Sequence, residues 1–357
     1  MLVVHNPDHA LHAGRQEMFR GRLVPCHEVP ERLDHVLAEL RRRGLGPLHT
    51  PAELQPGADA AFEDVLQRIH APRYLRFLEQ AWDEWVALDP AHAELDALPS
   101  VWPVRGFRAD VEPSNFAARM GLYSFDAGTP LTAGSWRAAR TGAQAAVLAA
   151  RAVSEGRSRS AFALSRPPGH HAGADFFGGY CFLNHSALAA QTLRDLGADR
   201  VAVLDVDYHH GNGTQSIFYE RADVLTVSIH GDPRTEYPFY LGHADERGAG
   251  VGQGCNLNLP LPRGTGFAEW RAALQQAIAA VRAFSAQALV VPLGVDTFEG
   301  DPISGFRLKS DDYRRIGEDL AALKLPTVFA FEGGYAVAEV GVNAVNVLEG
   351  FEQRCGS

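Results

Sequence analysis

Five short apolar runs punctuate the second half of the chain, and each ends in polar residues. Residues 161–164 lead to Pro167, Pro168, Gly169, His170 and His171, and residues 201–204 lead to Asp205, Asp207, His209 and His210. Residues 224–229 lead to His230 and Asp232, 288–293 to Asp296, and 327–331 to Glu332, Gly333, Gly334 and Tyr335. Unbroken apolar runs of this length predict strands buried on both faces. Stretches of helical spacing separate most of them, at 186–196, 267–284 and 312–323. Strands alternating with helices predict an α/β fold, a mainly parallel sheet with helices on both faces and its ligand site at the carboxyl ends of the strands. The five polar tips then share one crevice.

The first half has a different pattern. Residues 2–4 predict a short strand, and 31–43 carry Leu33, Val36, Leu37 and Leu40 on one helix face, stopped by Gly44. Helical spacing continues at 62–69 and 74–86, and an Ala-rich run predicts a helix over 136–153 closing near Gly156. Between 88 and 130, Pro90, Pro99, Pro103 and Pro113 interrupt any regular element. So long a loop points to function or to an interface, and the reading favoured is a dimerisation surface that also shapes the active site. His5, His9 and His12 follow the first strand without an acid at ligand spacing and are expected at the surface.

Composition narrows the choice. A chain of 357 residues suits one domain, 1–357, with elaborated loops. An apolar fraction of 46% with 35 Gly and 21 Pro excludes a disordered or fibrous protein. With 43 acidic against 33 basic residues the formal charge is −10, which disfavours nucleic acid or an anionic membrane as partner and favours a cationic one. No apolar run approaches the ~20 residues of a membrane span, and residues 1–10 lack the pattern of a signal peptide. Cys26, Cys181, Cys255 and Cys355 form no CxxC pair, so neither a disulfide framework nor a thiolate zinc site is predicted, and a reducing cytoplasm fits.

Two acids and two imidazoles at the end of a buried strand are costly without a counter-charge, and Asp oxygen with His nitrogen suits zinc or a similar divalent metal. In extended backbone, residues two apart share a side, which brings Asp205, Asp207 and His209 together and turns His210 away. Asp207, His209 and Asp296 would supply three ligands and leave a fourth position open, as catalytic zinc sites do. Asp205 is then free to orient an imidazole. His170 and His171 can divide acid and base roles if each meets a different partner. Tyr335 either donates to an oxygen on which charge develops or is a core tyrosine.

These residues fall in five ordered motifs: PPGHHA at 167–172, GGYCFLN at 178–184, DVDYHHGNGT at 205–214, GVDTFEGDP at 294–302 and EGGY at 332–335. Together they resemble the histone deacetylase superfamily, and within it the bacterial acetylpolyamine amidohydrolases, over nearly the whole chain. The resemblance implies an arginase-like α/β fold with zinc on Asp207, His209 and Asp296. It implies that His171 is general base and acid, that His170 gives electrostatic support through Asp205, that Asn212 orients His171, and that Tyr335 polarises the acyl carbonyl. Tyr180 and Tyr237 would line a narrow channel, with the Gly179 carbonyl accepting the scissile N–H. Structural potassium is implied at Asp205, Asp207, His209, Ser228 and Ile229, and a second ion at the backbone oxygens of Phe218, Arg221 and Val224.

The implied activity is zinc-dependent removal of acetyl groups from small acetylated amines such as N-acetylputrescine and N-acetylcadaverine, by a cytoplasmic homodimer. One departure bears on the substrate. Polyamine-cleaving relatives place an acid where this chain has Ala117, to meet a distant ammonium; Glu112 or Asp110, or the overall negative charge, would have to substitute. Deacylation of acetyl-lysine or of other acylated amines is the nearest alternative. A binuclear-metal ureohydrolase would need further bridging acids, and a non-catalytic acyl-ligand binder has no use for His170, His171 and Tyr335 together.

Overall fold

The computed structural model describes residues 1–356. Its strands are β1 (Leu2–His5), β2 (Gln16–Phe19), β3 (Arg22–Pro25), β4 (Leu48–His49), β5 (Ser160–Leu164), β6 (Val201–Asp205), β7 (Val224–Gly231), β8 (Asn256–Leu261), β9 (Ala288–Leu293) and β10 (Thr327–Phe331). Eight of them form one sheet in the order β4-β1-β5-β10-β9-β6-β7-β8. Every pairing within it is parallel. The five predicted strands are therefore contiguous, and their carboxyl ends meet.

Period-two geometry explains why the runs are so largely apolar. Ala161, Ala163, Val201, Val203, Val290 and Val328 face one core, shared with helices Ser135–Ser154 and His185–Asp195. Phe162, Leu164, Ala202, Leu204, Val291 and Phe329 face a second core on the other side, closed by helices Glu31–Arg43, Phe267–Phe284, Ser310–Ala321 and Val337–Gly356. Neighbours in sequence alternate between the two, so both faces favour apolar residues, and the buried Thr226 and Ser228 of β7 are tolerated because their hydroxyls are hydrogen-bonded to Asn256 and His230. Glu31–Arg43 and Phe267–Phe284 have the predicted bounds, and Gly44 stops the first in a left-handed conformation, φ 67°.

The elements beyond those predicted include the β2–β3 hairpin, the edge strands β4 and β8, the short helices Pro51–Leu54 and Asn212–Phe218, and the last helix, Val337–Gly356. Within 88–130 the backbone is irregular except for a 3-10 turn at Pro90–Glu94 and a short helix at Phe116–Leu122. One expectation is corrected. His9 and His12 are buried, not superficial, because helix Ser135–Ser154 packs against their turn and His12 Nδ1 lies 2.8 Å from Ser135 Oγ. Among the described residues no helix is long and apolar enough to cross a membrane.

Candidate active site

β6 ends at Asp205, and with it the alternation that would have carried three side chains to one side. Asp207 and His209 do converge, and Asp296 joins them from the tip of β9; their ligand atoms all lie within 4.8 Å of one another and all three residues are buried. Asp205 departs from the expected trio. Its Oδ2 instead accepts from His170 Nδ1 at 2.9 Å and its Oδ1 from the Asp207 amide at 3.1 Å. His210 lies apart, its Nε2 2.9 Å from Gln215 Oε1.

Backbone amides fix the cluster. Asp207 Oδ1 accepts the His209 N–H, its Oδ2 accepts the Gly333 N–H, and Asp296 Oδ1 accepts the Tyr208 N–H, each at 2.8 Å. Position 333 must be glycine, since a Cβ there would stand 2.6 Å from Asp207 Oδ2 and 2.7 Å from Asp296 Oδ2. Burial disfavours a charged His209, yet Asp207 and Asp296 outweigh it and raise the imidazole to about 10. Burial and then the Asp207 charge push Asp296 up to about 7. Among the described residues, the ion-pair partners of these two carboxylates are histidines only. Two carboxylates and one imidazole without Lys or Arg make a donor set that fits a divalent cation such as zinc, with room for a fourth ligand.

The histidine pair is split by its surroundings. His171 Nδ1 lies 2.6 Å from Asn212 Oδ1. An amide oxygen only accepts, so Nδ1 carries the proton and Nε2 is bare. Burial, then the positive charges of His170 and His209, hold His171 well below the usual imidazole range. His170, with ring centroid 4.0 Å away, goes the other way: burial opposes its charge, but Asp207 and Asp205 raise it to about 10. One neutral and one charged imidazole thus stand side by side.

Several residues that hold this arrangement carried no role in the sequence reading. Glu332 accepts the Gly169 and His170 amides at 2.6 and 3.1 Å. Asn184 donates to the Ala172 carbonyl and to Thr214 Oγ1 at 2.9 and 3.0 Å. Asp301 accepts the Tyr335 N–H at 2.7 Å. Arg32, fully buried on the first long helix, donates to the Gly334 carbonyl at 2.6 Å and lies 4.6 Å over the Tyr335 ring. Burial raises the Tyr335 hydroxyl well above the usual range, which keeps it a donor.

These groups open into a cavity of about 480 Å³ with His171, His209 and Tyr335 at its floor and Gly179, Tyr180 and Tyr237 on its walls. Gly179 has φ 54°, and a Cβ there would collide with the His171 ring. Glu112 lies outside the cavity lining, and its Oε2 accepts the Tyr123 hydroxyl at 2.9 Å. Ala117 is exposed on helix Phe116–Leu122. Asp205 and Ser228, paired across β6 and β7, bound a second cavity of about 10 Å³, and Ile229 follows on β7. In the turn before β7, which Val224 opens, the Arg221 amide donates to the Phe218 carbonyl at 2.9 Å.

Residues 26–351 match the family model described as the histone deacetylase domain. The chain is 53% identical over 354 residues to acetylpolyamine amidohydrolase 2 of Pseudomonas aeruginosa, covering 99% of each. It is 44% identical to the acetylpolyamine amidohydrolase of Mycoplana ramosa, covering 98% of this chain and 99% of that one. The crystal structure of acetylpolyamine aminohydrolase from Burkholderia pseudomallei superposes with a TM-score of 0.91 at 39% identity, over 99% of both chains. Sheet order, buried Asp-His-Asp cluster, split histidine pair and whole-chain similarity agree: this chain belongs to the histone deacetylase family.

Proposed function

We propose that the protein is a zinc-dependent amidohydrolase that removes acetyl groups from small acetylated amines, acetylpolyamines such as N-acetylputrescine and N-acetylcadaverine above all. The observation that carries this reading is the meeting of a bare imidazole nitrogen, a phenol and the Asp207, His209 and Asp296 donor set in one cavity. The names of the relatives, similar over almost the whole chain, point the same way. The family is metal-dependent. Zinc held by Asp207, His209 and Asp296 would supply Lewis acidity at the acyl oxygen and make water a nucleophile near neutral pH. His171 Nε2 takes a proton from the attacking water and returns it to the amine nitrogen as the C–N bond breaks, leaving acetate and a free amine. The Tyr335 hydroxyl donates to the acyl oxygen as charge grows there. Asn212 keeps His171 in the tautomer this needs, and His170 with Asp205 supplies a fixed positive charge beside it. The Gly179 carbonyl is proposed to accept the scissile N–H, between the rings of Tyr180 and Tyr237.

The cavity between Asp205 and Ser228 supports a potassium ion there, and the turn of Phe218, Arg221 and Val224 is assigned a second. Leu95, Val101, Val104, Phe107 and Val111, all exposed on the 88–130 segment, support a homodimer through that face, which would also bring Glu112 toward a substrate ammonium. Four free cysteines suit the cytoplasm.

The test is acetate release from N-acetylputrescine, N-acetylcadaverine, acetylspermidine and an acetyl-lysine peptide, with and without chelator. Turnover of the acetylated diamines, lost with chelator and restored by zinc, is expected; Asp207→Ala should lose both zinc and activity. No turnover of any of them after zinc loading overturns the hydrolase reading, and peptide turnover far above that of the amines overturns the substrate.

A further inference from the structure

The cavity walls come from chain segments that are remote in sequence, and one carboxylate joins three of them. Asp126 Oδ2 accepts the Gly179 amide at 2.7 Å and the Tyr237 hydroxyl at 2.6 Å. Its Oδ1 accepts the Gly128 amide at 3.0 Å and the Thr129 hydroxyl at 3.1 Å. Thr129 Oγ1 in turn accepts the Tyr180 amide at 2.9 Å. We infer that Asp126 is a positioning residue that clasps Tyr237 to the Gly179–Tyr180 turn, fixes the width of the channel between them, and thereby selects slender, unbranched acylamines. This rests on the hydrolase reading given above.

Two features say that the turn needs holding. Gly179 and Tyr180 both have left-handed backbone, φ 54° and 67°, which for tyrosine is intrinsically unfavourable by about 1 kcal/mol or more. Both of their amides are consumed by Asp126 and by its partner Thr129. The Tyr237 ring, in contrast, needs aiming. It stacks on Phe125 with centroids 5.9 Å apart and meets the rings of His171 and His209 edge-on at 5.2 and 6.1 Å. A swing of this ring would move the wall against which both histidines rest.

The same bonds exclude a simpler role for Asp126 as receptor of the substrate's ammonium. A carboxylate has about four lone-pair directions, and four donors of the chain itself fill them. Glu236, the other acid on the lining, is paired with Arg263 at 3.2 Å. The acids of the cavity wall are thus already committed, and selectivity at this depth comes from shape.

The experiment compares kcat/KM for N-acetylputrescine with that for a tripeptide bearing acetyl-lysine at its centre, in wild type, Asp126→Ala, Asp126→Asn, Tyr237→Phe and the double variant Asp126→Ala/Tyr237→Phe. The preference for the slender substrate should narrow by about tenfold in Asp126→Ala, mainly through KM. Asp126→Asn, which keeps one accepting oxygen and turns an NH2 toward the other two donors, should fall between wild type and Asp126→Ala, and the double variant should match Asp126→Ala, because the two groups act as one clasp. Hydrogen exchange provides a readout free of turnover: amides at 179–180 should exchange about tenfold faster in Asp126→Ala than in wild type. Equal loss on both substrates, additive effects, or unchanged exchange at 179–180 would overturn the clasp. A wild type that cleaves neither substrate while exchange still rises in Asp126→Ala would instead overturn the hydrolase reading and leave the clasp standing.

Discussion

His171 and Tyr335, at the floor of the cavity, lie in the loops that follow the buried strands β5 and β10, loops pinned at their backbone amides by the carboxylates of Glu332 and Asp301, whereas Tyr180 and Tyr237, on its walls, are held at their hydroxyls by the carboxylates of Glu17 and Asp126. The floor inherits its precision from a parallel ladder, whose register leaves the strand tips little freedom. The wall rings are tethered instead through their phenol hydroxyls, one carboxylate to each ring. Further out the restraint disappears: Phe239 at the rim is 47% exposed and Tyr240 89% exposed. Chemistry placed on the floor and selectivity placed on the walls can therefore change independently.

The largest effects should come from the floor. His171→Ala removes the only proton carrier assigned to both halves of the reaction, and Tyr335→Phe removes the donor to the acyl oxygen. Each is expected to lower kcat by about 10²–10⁴. Zinc content and melting temperature should stay at wild-type levels, because neither side chain belongs to the Asp207, His209 and Asp296 set. Steady-state assays alongside metal analysis check this. If kcat falls only as far as zinc content does, these residues act on metal retention and the assigned roles are wrong.

Beneath the floor, Arg32 couples chemistry to stability. Its guanidinium pairs with Glu28 at 2.8 Å, holds the turn before Tyr335, and lies 5.0 Å over the Phe331 ring, all without solvent. Arg32→Met would leave Glu28 with Arg166 as its only buried cation of that kind, and a broken buried pair typically costs about 3–5 kcal/mol. Urea unfolding should register a loss of that size. A change below about 1 kcal/mol would mean that this ion cluster contributes little to holding the floor.

The floor was legible in the sequence because its determinants are local. An apolar run followed by Asp, His or Tyr identifies a strand tip, and the five tips lie side by side. The trio Asp207, His209 and Asp296 stands as read, and Asp205, which strict alternation alone would have added to it, bonds His170 instead because the alternation ends where the strand does. Arg32 was hidden by its own helix: the apolar spacing of Leu33, Val36, Leu37 and Leu40 defines the buried face and gives no reason to place a guanidinium on it. The last helix carries a signal of the same local kind, since Val340, Ala344, Val347, Leu348 and Phe351 recur at helical spacing and are all buried. Asp126 had none. Its role exists only once residues 126, 179 and 237 meet, and nothing in the local pattern of any of them predicts that.

The finest contrast between core and rim lies in the sign of their response to pH. His70 supports the segment behind the catalytic pair, with Nδ1 2.9 Å from the Gly173 carbonyl and Nε2 accepting the Asn184 amide at 3.0 Å. It must be neutral to do so, and burial holds it at about 4. Its ordinary value of 6.5 in the unfolded chain means that stability is complete above pH 6.5 and is lost as pH falls toward 4, by up to about 3 kcal/mol. His70→Gln can make both hydrogen bonds without titrating, so urea unfolding of this variant should depend less steeply on pH between 6.5 and 4. His27, nearer the rim, is raised above 6.5, chiefly by its hydrogen bond to Glu17. Its contribution is complete below pH 6.5 and fades as pH rises through the raised value, and solvent access makes the effect small. The stability difference between wild type and His27→Phe should therefore shrink with rising pH, opposite in direction to the His70 effect. The same sign for both, or a His70→Gln variant with the wild-type acid slope, would remove the distinction between a neutral buried support and a charged one at the rim.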